Sequence, residues 1–122
     1  MPDICRLYLI TPSQFAVAAF ADSLAAALDS GDVACVQLRL KDTDNDTIRE
    51  AIEKLMPVCH ASGVAFIVND RPDLAAECGA DGAHIGADDG KFSDARRLLG
   101  DSAILGVSCY DSRHAAIEAS EA

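Results

Sequence analysis

At 122 residues and 50% hydrophobic content, the chain is long enough to bury one ordinary core and too short for two independent domains, so a single α/β unit over residues 1–122 is expected. Twenty acidic against ten basic residues leave a net charge of −10, which repels a nucleic-acid backbone and confines any anionic ligand to a local site. No run approaches the ~18 apolar residues of a membrane helix, and Met1 to Thr11 lacks a basic flank before a long apolar stretch, so a cytoplasmic protein is expected. The five cysteines, Cys5, Cys35, Cys59, Cys78 and Cys109, show neither CxxC pairs nor zinc spacing and read as reduced core thiols.

Short β-branched runs alternate with amphipathic segments, and no linker or low-complexity stretch interrupts them. The strand-like runs are Leu7 to Ile10, Val33 to Leu40, Val64 to Val68, Gly82 to Ile85 and Ile104 to Val107. A first helix is expected where Val17, Phe20, Ala21, Leu24 and Leu28 recur before Gly31. The second opens on a Thr47/Glu50 capping box and carries Ile48, Ile52, Leu55, Met56 and Cys59. Pro57 predicts a kink or an end near Met56, because proline in a helix interior costs ~3 kcal/mol. The third helix is expected from Pro72 to near Gly79, the fourth from a Ser93 cap to Gly100, and the fifth from about Asp111 to Ala122. Strands separated by helices imply parallel pairing. The first strand ends in Thr11-Pro12 instead of a GxGxxG turn, which favours a TIM-type (β/α)8 barrel over a dinucleotide-binding sheet.

Polar residues fall at the ends of the strand-like runs. In Val36-Gln37-Leu38-Arg39-Leu40-Lys41, alternation sends Gln37, Arg39 and Lys41 to one face and Val36, Leu38 and Leu40 to the other. A solvated strand face accounts for this in an isolated hairpin. A parallel sheet is covered on both faces, so two cations and an amide in a row call for a ligand. Asn69 and Asp70 follow a fully apolar run just before Pro72; Asp70 equally suits the adjacent helix N-terminus. Asp88-Asp89-Gly90 follows the fourth run, where an acidic turn is the structural alternative. Carboxylates from neighbouring loops together with Arg39 and Lys41 would suit magnesium bound to a diphosphate, since that ion takes one or two carboxylates plus phosphate oxygens. Ser108 adds a small donor at the fifth strand. In barrel enzymes the chemistry sits at strand C-terminal ends, where Arg39, Asn69, Asp89 and Ser108 all fall. His84 reads as a core histidine, and His60 and His114 carry no signal.

Over its whole length the chain resembles the thiamine-phosphate synthases. The resemblance is carried by Gln37-x-Arg39-x-Lys41, Asn69-Asp70, Asp81-Gly82-Ala83-His84-Ile85-Gly86 leading to Asp89, and Gly106-Val107-Ser108. It implies a barrel of which the first five βα units are present, and a magnesium-dependent transferase. Its substrates would be a pyrimidine diphosphate and a thiazole phosphate, joined with release of diphosphate. It also implies that the segment Gln37, Leu38, Arg39, Leu40 and Lys41, together with Asn69 and Ser108, contacts the pyrimidine diphosphate. Asp70 and Asp89 would bind magnesium, and Arg39 and Lys41 would act catalytically on the leaving diphosphate. Departure of that group would leave a pyrimidine methylene cation for the thiazole nitrogen to capture.

Two departures stand out. Ala87 occupies a position where the family usually carries glutamine. The chain also ends after its fifth βα unit, before the family's Thr/Lys phosphate loop and its glycine-rich phosphate site. An unclosed barrel would expose a strand edge and invite pairing with another copy. Two rival readings keep the fold: a thiazole tautomerase, which needs neither diphosphate nor metal, and a non-catalytic half-barrel that binds diphosphate or self-associates.

Overall fold

The computed structural model of the chain describes residues 5–86, 92–109 and 113–120. Strands and helices alternate throughout as β1 (Leu7–Ile10), α1 (Val17–Ser30), β2 (Val33–Leu38), α2 (Asn45–Ala61), β3 (Ala65–Asn69), α3 (Pro72–Cys78), β4 (Gly82–Gly86), α4 (Phe92–Leu99), β5 (Ile104–Ser108) and α5 (Arg113–Ser120). The chain divides into two compact units, Met1–Phe66 and Ile67–Ala122.

In the first unit β1 and β2 pair in parallel, with Tyr8 opposite Cys35, Leu9 opposite Val36 and Ile10 opposite Gln37. Opposed residues share a face and successive residues alternate, so Tyr8, Ile10, Cys35 and Gln37 lie on one face, Leu9 and Val36 on the other. The second face belongs to α1: Leu9 and Val36 line an apolar cleft of about 190 Å³ with Phe20 and Leu24 of that helix. Leu24 and Leu28 are the buried residues of α1, and Gly31 follows its last turn. The helix therefore keeps the apolar stripe and the stop read from its sequence.

Two local expectations are corrected in α2. Its N-cap is Asp44, whose carboxylate accepts the Thr47 N–H at 2.8 Å. That makes Thr47 the third helical residue instead of the cap, because an aspartate three positions earlier already satisfies its amide. Pro57 does not end the second helix near Met56: it lies inside α2, which runs on to Ala61. The carbonyl that loses its partner belongs to Glu53, and both Glu53 and Pro57 are exposed, so water can satisfy it. Ile52, Leu55 and Cys59 on the opposite stripe are buried at 1% exposure or less, which outweighs the local defect. Val64 N–H then donates to the Cys59 carbonyl at 2.9 Å as the chain leaves the helix.

In the second unit, Ile67, Val68 and Asn69 pair in parallel with Gly82, Ala83 and His84. Strand β4 pairs in parallel with β5, with His84 opposite Gly106 and Gly86 opposite Ser108. Asn69, His84 and Gly106 thus form one row on one face, and Ser108 lies on that face two residues further on. Gly82 permits the close approach of β4 to β5: a β-carbon there would lie 1.8 Å from the Ile104 carbonyl oxygen. Helix α3 begins with Pro72 in its first turn and ends on Gly79, whose φ of 74° is left-handed, as the sequence indicated. In α4, Ser93 falls inside the helix rather than capping it. Its C-terminal end is closed by Arg96, whose guanidinium donates to the carbonyls of Gly100 at 3.1 Å and Ala103 at 2.6 Å. The expected start of the last helix at Asp111 lies outside the described residues.

All five cysteines are free thiols, but only Cys35 and Cys59 are buried; Cys5 is exposed, which corrects its assignment to the core. Among the described residues no helix is long and apolar enough to cross a membrane.

Candidate functional site

The first unit gathers one group of candidate residues at the C-terminal end of β2. The strand ends at Leu38, two residues earlier than its alternation suggested, so Arg39, Leu40 and Lys41 belong to the loop before α2. The cause is tertiary. Thr11, 5% exposed, accepts the Arg39 N–H on its hydroxyl oxygen at 2.9 Å, and the Lys41 N–H donates to the Ser13 carbonyl at 3.1 Å. The Thr43 hydroxyl donates to the Lys41 carbonyl at 2.8 Å, and Asp42 takes a left-handed φ of 50°, a conformation that aspartate tolerates. Successive backbone anchors therefore hold the loop that carries both cations.

Gln37 is 3% exposed and donates its side-chain N–H to the Tyr8 hydroxyl at 3.0 Å. That bond occupies one amide hydrogen. The remaining hydrogen and the carbonyl oxygen give the side chain one further donor and an acceptor. Burial raises the Tyr8 phenol above its ordinary value, the Gln37 bond works the other way, and Cys35 adds to the rise. Tyr8 therefore stays neutral at physiological pH. The Leu38 side chain is 1% exposed and belongs to the core, so any ligand contact it makes comes from its backbone. Leu40 lines a polar cleft of about 250 Å³ with Gln14, Phe15 and the 42–44 turn. Arg39 is exposed and Lys41 is partly so.

The second unit assembles the other group. Asn69, 9% exposed, ends β3, and its amide nitrogen Nδ2 is buried without a hydrogen-bond partner among the described residues. Leaving such a group unpaired costs about 1–3 kcal/mol, so it is an unmet donor at the strand end. Asp70 follows with a left-handed φ of 64°, its N–H donating to the His84 carbonyl at 2.7 Å. That bond extends the β3–β4 ladder by one residue and fixes the backbone from which the carboxylate departs. His84 Nε2 and Ser108 Oγ lie 2.7 Å apart and share a hydrogen whose donor depends on the imidazole tautomer. Burial pushes the His84 imidazole below its ordinary value, opposed by the Asp70 charge. Near neutral pH the ring is uncharged.

Among the described residues no three histidine, cysteine, aspartate or glutamate side chains form a closed metal cage. Magnesium asks for less, since one or two carboxylates suffice when phosphate oxygens and waters complete an octahedron. Asp70, a hard oxygen donor beside an unmet amide donor, fits such an open site. Asp89 and Ala87 lie outside the described residues. The structure thus groups Gln37, Arg39, Leu40 and Lys41 in one unit and Asn69, Asp70 and Ser108 in the other. Sequence reasoning passed over Tyr8 and Thr11, and treated His84 as core. Tyr8 could have been found from the alternation of β1, which puts it on the face of Gln37, and Thr11 from the abrupt polarity after Ile10.

The chain is similar over most of its length to known proteins. Residues 7–122 match the family model described as thiamine monophosphate synthase. The thiamine-phosphate synthase of Rhodospirillum centenum is 61% identical over 117 residues, covering 96% of this chain and 56% of that protein. The thiamine-phosphate synthase of Methylococcus capsulatus is 45% identical, with 93% and 50% covered. Thiamine phosphate pyrophosphorylase from Pyrococcus furiosus superposes with a TM-score of 0.80 at 29% identity, covering 95% of this chain and 55% of that one. The chain thus spans about half the length of these relatives. An alternating βα chain with buried amides and cations at its strand ends, matched from residue 7 to residue 122, belongs to the thiamine monophosphate synthase family.

Proposed function

We propose that the chain supplies the pyrimidine-diphosphate half of a thiamine-phosphate synthase site, within a (β/α)8 barrel of which it forms the first five βα units as one α/β domain. The reaction joins the methylene carbon of 4-amino-2-methyl-5-hydroxymethylpyrimidine diphosphate to the nitrogen of a thiazole phosphate. The C–O bond to diphosphate breaks, the new C–N bond forms, and diphosphate leaves. The observation that carries this reading is the Asn69 amide, buried with its N–H group unpartnered among the described residues and immediately followed by Asp70. A donor left unmet at a strand end, next to a carboxylate, is arranged for an anionic ligand that arrives with a cation.

In this reading Gln37, oriented by Tyr8, reads the aminopyrimidine edge. Asn69 and Ser108 donate to the diphosphate. Arg39 and Lys41, held on their anchored loop, neutralise charge as it grows on the leaving group. Asp70, with Asp89, would hold magnesium, which supplies further charge neutralisation on the diphosphate oxygens. The reaction belongs in the cytoplasm.

Titration of the chain with the pyrimidine diphosphate in the presence and absence of magnesium, followed by assay of thiamine phosphate formation, tests the proposal. Binding should require magnesium and weaken when Asn69→Ala or Asp70→Asn is introduced. Arg39→Ala should lower transition-state stabilisation by about 2.7–4 kcal/mol, the size of one electrostatic donor at a developing anion. Metal-independent affinity for the thiazole phosphate alone would replace this reading with the tautomerase. Absence of turnover with concentration-dependent sedimentation would replace it with a non-catalytic half-barrel.

A further inference from the structure

His84 stands between two of the residues just assigned to the pyrimidine diphosphate. On the shared face of the second unit it lies opposite Asn69 on β3, and its Nε2 meets the Ser108 hydroxyl from β5 at 2.7 Å. The ring has a place there only because residue 106 is glycine. Gly106 is its direct neighbour across the β4–β5 ladder, and a β-carbon at that position would lie 2.5 Å from His84 Nδ1 and 3.4 Å from Cγ and Cε1. Two independent features, a short polar contact and a missing side chain, therefore hold the imidazole against Ser108.

A serine hydroxyl on a strand end has three staggered rotamers and a freely rotating hydrogen. A ligand that uses it must select one arrangement and bear the ordering cost. A neutral ring nitrogen at hydrogen-bond distance removes that choice beforehand: it fixes Oγ in space and engages the hydroxyl on one side, leaving the other side for the ligand. We propose that His84 is a positioning residue for the pyrimidine diphosphate, acting through the Ser108 hydroxyl that it orients. The proposal rests on the assignment of Ser108 to that ligand.

The test is a binding cycle on the pyrimidine diphosphate with magnesium, using His84→Phe, Ser108→Ala and the double variant, with His84→Gln as the conservative replacement. Phenylalanine keeps the bulk and removes the nitrogen, whereas a glutamine amide can reach the former Nε2 position. Each single variant should weaken binding roughly fivefold, the scale of one hydrogen bond, and the double variant should be no weaker than Ser108→Ala. His84→Gln should recover most of the loss. If the two single effects multiply, His84 acts independently of Ser108 and the positioning role is overturned, while the assignment of the site stands. If the unsubstituted chain takes up no pyrimidine diphosphate, the assignment of the site fails and the positioning role fails with it. Should His84→Phe not fold, His84→Asn, whose shorter amide cannot reach Ser108, completes the same cycle.

Discussion

The Thr11 hydroxyl oxygen accepts the Arg39 backbone N–H at 2.9 Å, so the end of β1 sets where β2 stops. Without this acceptor Arg39 would be free to continue the ladder, and its guanidinium would start from a different point. Thr11 is 5% exposed and donates its own hydrogen to the Pro12 carbonyl at 3.1 Å, so its hydroxyl is engaged on both sides. Thr11→Val keeps the shape and removes both bonds. It should lower stability by about 1 kcal/mol, the net value of such a bond when one partner remains reachable by water. Thr11→Ser should lose much less. Urea midpoints at constant m-value decide the matter, and a Thr11→Val variant as stable as the parent would show that the hydroxyl does not anchor the loop.

Gly82 and Gly106 should respond differently to alanine although both lie in the β4–β5 ladder. At Gly82 the new carbon would meet the Ile104 carbonyl oxygen at 1.8 Å, and backbone cannot step aside without unpairing the strands. Gly82→Ala should prevent the second unit from folding normally. At Gly106 the obstacle is the His84 ring at 2.5 Å, a side chain that can swing away from Ser108. Gly106→Ala should fold with a loss of about 1–3 kcal/mol, as for other overpacked sites. Circular dichroism melts of the two variants give the comparison, and equal effects would contradict it.

Much of this arrangement was legible from residue patterns because it depends on local periodicity. The two-residue repeat of β2 placed Gln37 on the face opposite Val36, whereas Arg39 lies beyond the strand's end at Leu38, where that repeat no longer applies. The apolar run before Asn69 located the C-terminal end of β3 to within a residue. Glycine at 79 stopped α3 because a left-handed φ was needed there. What escaped depends on partners distant in sequence. The Tyr8–Gln37 bond joins residues 29 positions apart, and the His84–Ser108 contact joins residues 24 apart; neither side chain signals its partner by spacing. The α2 start was misread for a simpler reason. Asp44 and Thr47 are both good caps, and the choice between them rests on which amide the loop from Lys41 delivers first.

Stability should fall on acidification in a way that involves His84. Burial holds its folded-state value below the ordinary 6.5, so below that pH the unfolded chain binds a proton that the folded chain resists. With more protons on the unfolded state, stability rises with pH through this window. The contribution is present above 6.5 and is lost as pH falls toward the depressed folded-state value. His84→Gln, which has no titrating group, should flatten this part of the profile. Urea midpoints between pH 7.5 and 5.5 for both proteins provide the check, and parallel profiles would remove His84 as the cause.

Pro57 offers the opposite kind of change, a substitution expected to stabilise. It sits inside α2, where its missing N–H leaves the Glu53 carbonyl without its helical partner and its ring crowds the preceding turn. The helix tolerates this because Leu55 and Cys59 are fully buried and the defect faces solvent. Alanine would restore the bond and the better propensity, whereas the unfolded chain would gain some freedom that proline denies it. The two effects oppose each other. An interior proline costs ~3 kcal/mol relative to alanine, and the entropy returned to the unfolded state is ~1 kcal/mol or less. Pro57→Ala should therefore raise stability by about 2 kcal/mol without altering ligand affinity, since no candidate site residue lies on α2. A thermal midpoint that falls instead would mean that the restriction proline places on the unfolded chain outweighs the helical bond it removes.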